Sequence, residues 1–287
     1  MRRYFTCALV VVLLAFCVGC GAEAGTGGPE ETLSTGWRAY STGGFDFAEK
    51  AFLRVVNDPD ATEEHRYSAL LGLASTHHFS TSPDLGKAVT YYERLADVGG
   101  ERGVCQSLLG LGMVALDRGQ SEQARAHLEE LIRDHPERRE AGEAALYLAG
   151  SYFRPTPDES VVGEYILADS SAVQRGLEVL EGRLNAYPDN PLASVMHMML
   201  AEQYVEVSDY ARAVEHLEAA LDKGIASETN RGSVTWQIAR IAERELSDYE
   251  LAEKYYAIYV RDFRRTQQYY RASQSLERVR QLLEEGE

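Results

Sequence analysis

From Glu30 onward apolar residues recur three and four positions apart, Pro is sparse, and no stretch alternates apolar with polar over a strand's length. That period belongs to helices with one buried stripe, so the sequence predicts helices throughout and no convincing strand. The stripes also repeat. Gly112 is followed by Ala124 twelve residues later, Leu128 four further, Leu131 three further and Pro136 five further. The same ruler fits Gly36, Ala48, Phe52 and Val55, then Ala201, Ala213, Leu217 and Ala220. It fits again at Ala252, Tyr256 and Tyr259, with Trp236 upstream in the partner helix.

The spacing has a physical reason. A small residue and an Ala twelve later mark where two antiparallel helices approach closely, which only small side chains allow. The large residues four and seven beyond the Ala pack on their own helix and on the next hairpin. Pro136 ends a second helix because it cannot donate and clashes with the preceding turn. Turn residues fall between the paired helices at Gly43-Gly44, Arg118-Gly119 and Ser208-Asp209. Two more units fit with insertions. Gly72 leads to Ala88, Tyr92 and Leu95 across four extra residues around Ser80 to Asp84, and Ala149 leads to Gly176, Leu180 and Pro188 across fifteen.

The Ala-equivalent positions 48, 88, 124, 176, 213 and 252 are 36 to 52 residues apart, the scale of a stacked array. The expected fold is therefore all-α: a right-handed α-solenoid of about six helical hairpins with a C-terminal capping helix. The repeats occupy residues 31–265, at about 31–62, 63–100, 101–138, 139–190, 191–227 and 228–265. A polar helix from about Thr266 to Glu285, within 266–287, lacks a partner and would close the open end.

These residues resemble the tetratricopeptide repeat, whose period is about 34. The strings HPERREAGEAALYLAGSYF, YPDNPLASVMHMMLAEQYVEVSDYARAVEHLEAAL and DYELAEKYYAIYVRDF are also similar to repeats of periplasmic lipoproteins. Those are the BamD-type outer-membrane assembly factor and the coordinator of Tol and peptidoglycan synthesis at division. The chain departs from the BamD pattern in having six units rather than five and a long insertion. The resemblance implies a protein that binds other proteins along the first helices of its hairpins, which line a concave side. Positions −3, +1 and +4 from the leading small residue give the expected groove: Leu33, Trp37 and Tyr40; Leu109, Met113 and Leu116; Leu146, Gly150 and Phe153. Such a floor suits an apolar or amphipathic peptide, and burial by neighbouring units is the competing reading for each residue. The carboxylate-clamp subtype needs Lys, Arg and Asn at such places. Only Arg244 qualifies, so chaperone-tail binding is not expected.

The first residues follow a different pattern. Arg2 and Arg3 precede an apolar run from Tyr4 to Phe16 and a small-residue exit at Gly19, the order of a secretory signal and too short for a permanent span. Val18-Gly19-Cys20 resembles the bacterial lipobox, with Cys17 where that motif usually has Leu. The resemblance implies that residues 1–19 are removed, that Cys20 is acylated, and that 20–30 form a Gly-rich tether. Plain secretion with cleavage near Ala22 or Ala24, or an uncleaved anchor, would export the chain equally. Gly21 rather than Asp after the Cys implies the outer membrane, with the chain facing the periplasm.

Charge narrows the partners. The chain carries 29 basic and 45 acidic residues, a net −16; losing Arg2 and Arg3 leaves 27 against 45, or −18. Phosphate binding needs clustered cations, so nucleic acid is excluded as a partner. Cys20 and Cys105 alone remain after cleavage, and with Cys20 acylated no internal disulfide forms; Cys105 reads as a small buried apolar residue. No HExxH, GxSxG or paired-Cys motif is present, so no enzyme, metal or cofactor is expected. Gly110, Gly112 and Ala115 spell GxGxxA without a preceding strand, and helix packing explains them. Adjacent His77 and His78 cannot share a helix face and are expected in a solvated loop. His197 among Met196, Met198 and Met199 reads as core packing. Glu137 to Glu140 read as a solvated face. The insertion Arg154 to Ser171, with two Pro and four acids, has the length at which loops become functional or disordered.

The expected function is a lipid-anchored envelope scaffold for other proteins or peptides, serving outer-membrane protein assembly and attached to the membrane through its N-terminal lipid. Two alternatives fit the same residues: a structural or sorting protein that binds peptidoglycan or secretion components, and an accessory subunit of an envelope synthase.

Overall fold

The computed structural model describes residues 27–153, 156–157, 165–166 and 169–286. Thirteen α-helices among them form six antiparallel hairpins and a last single helix. The hairpins are α1 (Pro29–Ser41) with α2 (Phe45–Val56), α3 (Glu63–Phe79) with α4 (Leu85–Ala96), and α5 (Gly100–Asp117) with α6 (Ser121–Asp134). They continue as α7 (Arg139–Phe153) with α8 (Ser170–Ala186), α9 (Ala193–Glu206) with α10 (Tyr210–Lys223), and α11 (Glu228–Ile241) with α12 (Tyr249–Asp262). Helix α13 (Tyr269–Gly286) packs on α12 and closes the stack. The fold is the all-helical solenoid that the spacing predicts.

The insertion adds a detail that periodicity did not. Thr156 pairs with Ile166 and Pro157 with Tyr165 in a two-residue antiparallel ladder of β1 (Thr156–Pro157) and β2 (Tyr165–Ile166). No helix among the described residues is long and apolar enough to cross a membrane.

Three of the turns inside the hairpins share one geometry. The N–H of Gly44 donates to the Ala39 carbonyl, Gln120 to Ala115 and Asp209 to Tyr204, each at 2.8 Å across five residues. This is the Schellman-type closure of a helix end, which places the preceding residue in the left-handed region. Gly43 and Gly119 occupy it at φ +80° and +73°, and Ser208 does so at +61° without glycine's freedom. Asp84, Asp209 and Asp248 then cap α4, α10 and α12 by accepting the N–H three residues on.

The ruler positions are the core. Ala48, Ala88, Ala124, Ala213 and Ala252 are fully buried, as are Phe52, Leu128, Leu180 and Tyr256. What the leading small residues do is more specific than a close helix approach. A Cβ on Gly36 would lie 2.7 Å from the Phe52 ring, and one on Gly72 of the next hairpin 2.5 Å from the same ring. Phe52 is therefore clamped between the glycine of its own hairpin and that of its neighbour. Tyr92 lies against Gly110 of the following hairpin in the same way, Leu128 against Gly112 and Phe153 against Gly176. Cys105 is fully buried beside Leu109, Leu128 and Leu131.

His77 and His78 correct the loop expectation. They lie in the last turn of α3 and are almost fully buried. Adjacent residues on a helix point about 100° apart, and here both directions are covered. His77 Nε2 sits 3.1 Å from Glu49 Oε1 with its ring stacked on Tyr91; His78 meets the Tyr92 hydroxyl at 3.2 Å and the Asp117 carboxylate at 2.9 Å.

Glycine at position 72 is required by contact rather than by backbone conformation. Gly72→Ala drives a methyl into the Phe52 ring and should cost about 1–3 kcal/mol by overpacking. Gly182, on an exposed part of α8 with nothing within 4 Å, should gain about 0.5–1 kcal/mol as Gly182→Ala. Urea unfolding midpoints check the pair; a shift of the same sign for both would contradict the clamp.

Candidate functional site

Most of the expected groove residues tie hairpins together. Leu33 and Leu146 are 8% exposed and Leu109 2%, each inside a core cluster. The half-buried Trp37 donates its indole N–H to Ser68 Oγ of α3 at 3.0 Å, with its ring 5.0 Å from Phe52 and 5.7 Å from Tyr40. Tyr40 packs on Phe45, and burial pushes its phenol pKa up. Met113 and Leu116 lie half-buried on the cluster around Leu109; Gly150 stands beside Met199, and Phe153 covers Gly176. The cause is helical geometry. Positions three before and four after a residue share its face, and the leading small residue faces inward. First helices α1 and α3, and α5 and α7, touch directly, which closes the stack over these side chains.

The C-terminal half is built differently. Among the described residues no comparable contact joins α9 to α11 or α11 to α13. Along α11, between α9 and α12, opens a cleft of about 580 Å³ lined by Trp236, Tyr259 and Phe263, with Glu228 and Glu245 also in its walls. Trp236 is half-buried, 5.5 Å from the Tyr256 ring and 5.6 Å from Tyr259. Its indole N–H, unlike that of Trp37, has no partner among the described residues.

A one-residue irregularity turns α11 toward this cleft. Its last turn, Ala242–Leu246, is π-helical, and the N–H of Asp248 reaches back six residues to Ala242, where the α1–α2, α5–α6 and α9–α10 turns reach back five. π-turns carry one extra residue and concentrate at functional sites. Counting back from Ala252, the ruler expects its small residue at Arg240. The extra residue moves that place to Ala239, which is fully buried, and Arg240 stands exposed on the cleft side. This is the residue the repeat spacing missed. An Arg where the ruler requires a small residue was the available signal.

A second feature lies on α9 and α10. His197 Nδ1 and His216 Nδ1 are 3.0 Å apart, so one ring donates and the other accepts; Tyr204 stacks on His216 and donates its hydroxyl to Glu181. Met196 beside His197 is fully buried. Desolvation, then the neighbouring His216, pushes the His197 pKa from its ordinary 6.5 to about 4. Cys20 lies outside the described residues.

Hairpins seated on glycine, Schellman-type turns and a capping helix define a tetratricopeptide-type helical solenoid. Residues 109–154 match the tetratricopeptide repeat family. The solved structure of Pseudomonas aeruginosa pilF has a similar fold, with a TM-score of 0.54 at 13% identity, over 85% of this chain and 95% of that one. MamA gives 0.43 at 16% identity over 66% and 93%, and a thermophilic repeat protein of Thermus thermophilus gives 0.40 at 15% over 87% and 99%. At 13% identity the likeness to pilF is one of fold. Among proteins of curated function none matches the sequence.

The histidine pair sets a pH dependence. Its folded form is neutral, so between about 6.5 and about 4 the unfolded chain binds more protons and stability falls as pH falls. Thermal melts at pH 7 and pH 5 should show His197→Gln losing less than the parent; equal losses would contradict the coupling.

Proposed function

We propose that the chain is a lipid-anchored scaffold of the bacterial envelope that positions partner proteins, with outer-membrane protein assembly as the process to test first. Support for the anchor is the order of Arg2-Arg3, an apolar run, Val18-Gly19-Cys20 and a Gly-rich stretch before the first helix. Support for the scaffold is the helix stack, since repeat solenoids offer long binding surfaces without needing a reaction centre. The observation that carries the reading is the cleft along α11, between α9 and α12, where an aromatic side chain with an unused N–H is left accessible. Trp and Tyr at such places are the usual anchors of protein interfaces. The net −16 directs the partner away from nucleic acid and toward proteins or peptides. Positioning, rather than chemistry, is the mechanism.

Labelling cells with an alkyne palmitate analogue should mark the full chain and leave Cys20→Ala unmarked. In situ crosslinking of the labelled protein should then capture β-barrel assembly components. Label that survives Cys20→Ala would sink the anchor, whereas a labelled chain that never captures those components would remove the assembly role.

A further inference from the structure

We infer that the C-terminal cleft takes a short acidic peptide segment, carrying one bulky apolar residue beside its carboxylates; this rests on the scaffold reading above and names its ligand class. Two stripes of side chains face each other there. On α11 and its π-turn, Trp236, Arg240 and Arg244 follow at intervals of four. On α13, Arg271, Gln274 and Arg278 follow at three and four, so each set lies on one helix face. Together they line a recess of about 480 Å³, continuous with the larger cleft at Trp236 and Arg240, and no carboxylate stands in its walls.

Three of the four charges are not used internally. Arg278 is held by Glu243 at 2.9 Å and by Ser275 at 3.1 Å. Arg240, Arg244 and Arg271 are exposed and make no ion pair or hydrogen bond among the described residues. Several arginines elsewhere are paired, Arg102 with Glu64, Arg139 with Glu143, Arg212 with Asp209 and Arg280 with Glu253, while Arg38, Arg118, Arg264 and Arg265 stand exposed and dispersed along the chain. In a chain where acids outnumber bases 45 to 29, what sets this place apart is that three unpaired cations line one recess. An anionic ligand seated there would be drawn to three guanidinium groups at once.

Carboxylates fit the geometry. A guanidinium offers a planar fork to a carboxylate, and Gln268 and Gln274 add neutral donors beside the forks. The adjoining aromatic cleft, lined by Trp236 and Tyr259, accepts a bulky apolar side chain. Glu228 and Glu245 in the walls of that wider cleft oppose a uniform polyanion, which would run its phosphates past them. An acidic motif with one apolar residue satisfies both compartments.

The probe is a fluorescein-labelled Gly-Asp-Glu-Phe-Asp-Glu-Gly peptide titrated by anisotropy with the purified full chain. Arg240→Gln with Arg271→Gln should weaken binding by about tenfold or more, as should replacing the peptide's acids by Asn and Gln. Trp236→Ala should weaken the Phe peptide and leave its Phe→Ala version, already weak, unchanged. All three protein substitutions are at half-buried or exposed side chains, and an unaltered thermal melt confirms the fold. Equal binding of the acid and amide peptides would overturn the proposal. So would tighter binding of a single-stranded oligoribonucleotide, or self-association of the chain abolished by the arginine substitutions, which would assign the recess to a second copy. Failure here with palmitate labelling and partner capture intact would sink the ligand class and leave the anchored scaffold standing.

Discussion

Everything in this molecule depends on large side chains pressed against glycine. Phe52 between Gly36 and Gly72 fixes the distance within its hairpin and the distance to the next at once. Tyr92 on Gly110, Leu128 on Gly112 and Phe153 on Gly176 carry the same contact along the chain. A fully buried ring contributes about 2 kcal/mol by leaving water, and a close-packed interior gives a methyl no room between ring and backbone. Helix spacing is thus set by the absence of a side chain on one partner. Some of these seats lie within a hairpin and some, as at Phe52 and Tyr92, join a hairpin to the next, so stability passes between neighbours along this ladder.

Where the ladder is regular the stack is closed. In the N-terminal half first helices touch and Trp37 is tied to Ser68. The departure comes at α11. One extra residue in its last turn keeps Ala239 in the core and turns Arg240 out, while α13 brings Arg271 opposite. The seat there is also looser, since a Cβ on Gly232 would meet Phe263 at 3.0 Å rather than overlap its ring deeply. A register change of one residue therefore converts a packing surface into a recess with charge and aromatic character. No catalytic arrangement is needed for that to matter; an accessible Trp beside unpaired guanidinium groups is enough to hold a chain.

The repeat, the turns and the cap were legible because they rest on local spacing. Small residue, Ala and large residue at fixed offsets are dictated by the geometry of one hairpin, and Gly43, Gly119 and Ser208 mark the turns in the sequence itself. The groove was less legible. Counting −3 and +4 from an inward residue follows the same helix face inward, which is why Leu33, Leu109 and Leu146 are core. His77 and His78 escaped because adjacency excludes a shared face but not burial on two faces, which needs the flanking helices to be in place. The arginine recess joins residues about thirty apart through the stacking of α13, and nothing in a local window brings them together.

The chain's two tryptophans permit a direct test of the closed and open halves. In Trp37→Phe only Trp236 fluoresces, and in Trp236→Phe only Trp37. Quenching by iodide, relative to neutral acrylamide, reports the local potential around each indole. The account predicts a clearly higher iodide-to-acrylamide ratio for Trp236, beside Arg240 and Arg244, and a lower one for Trp37. Equal ratios, or a higher one for Trp37, would contradict it.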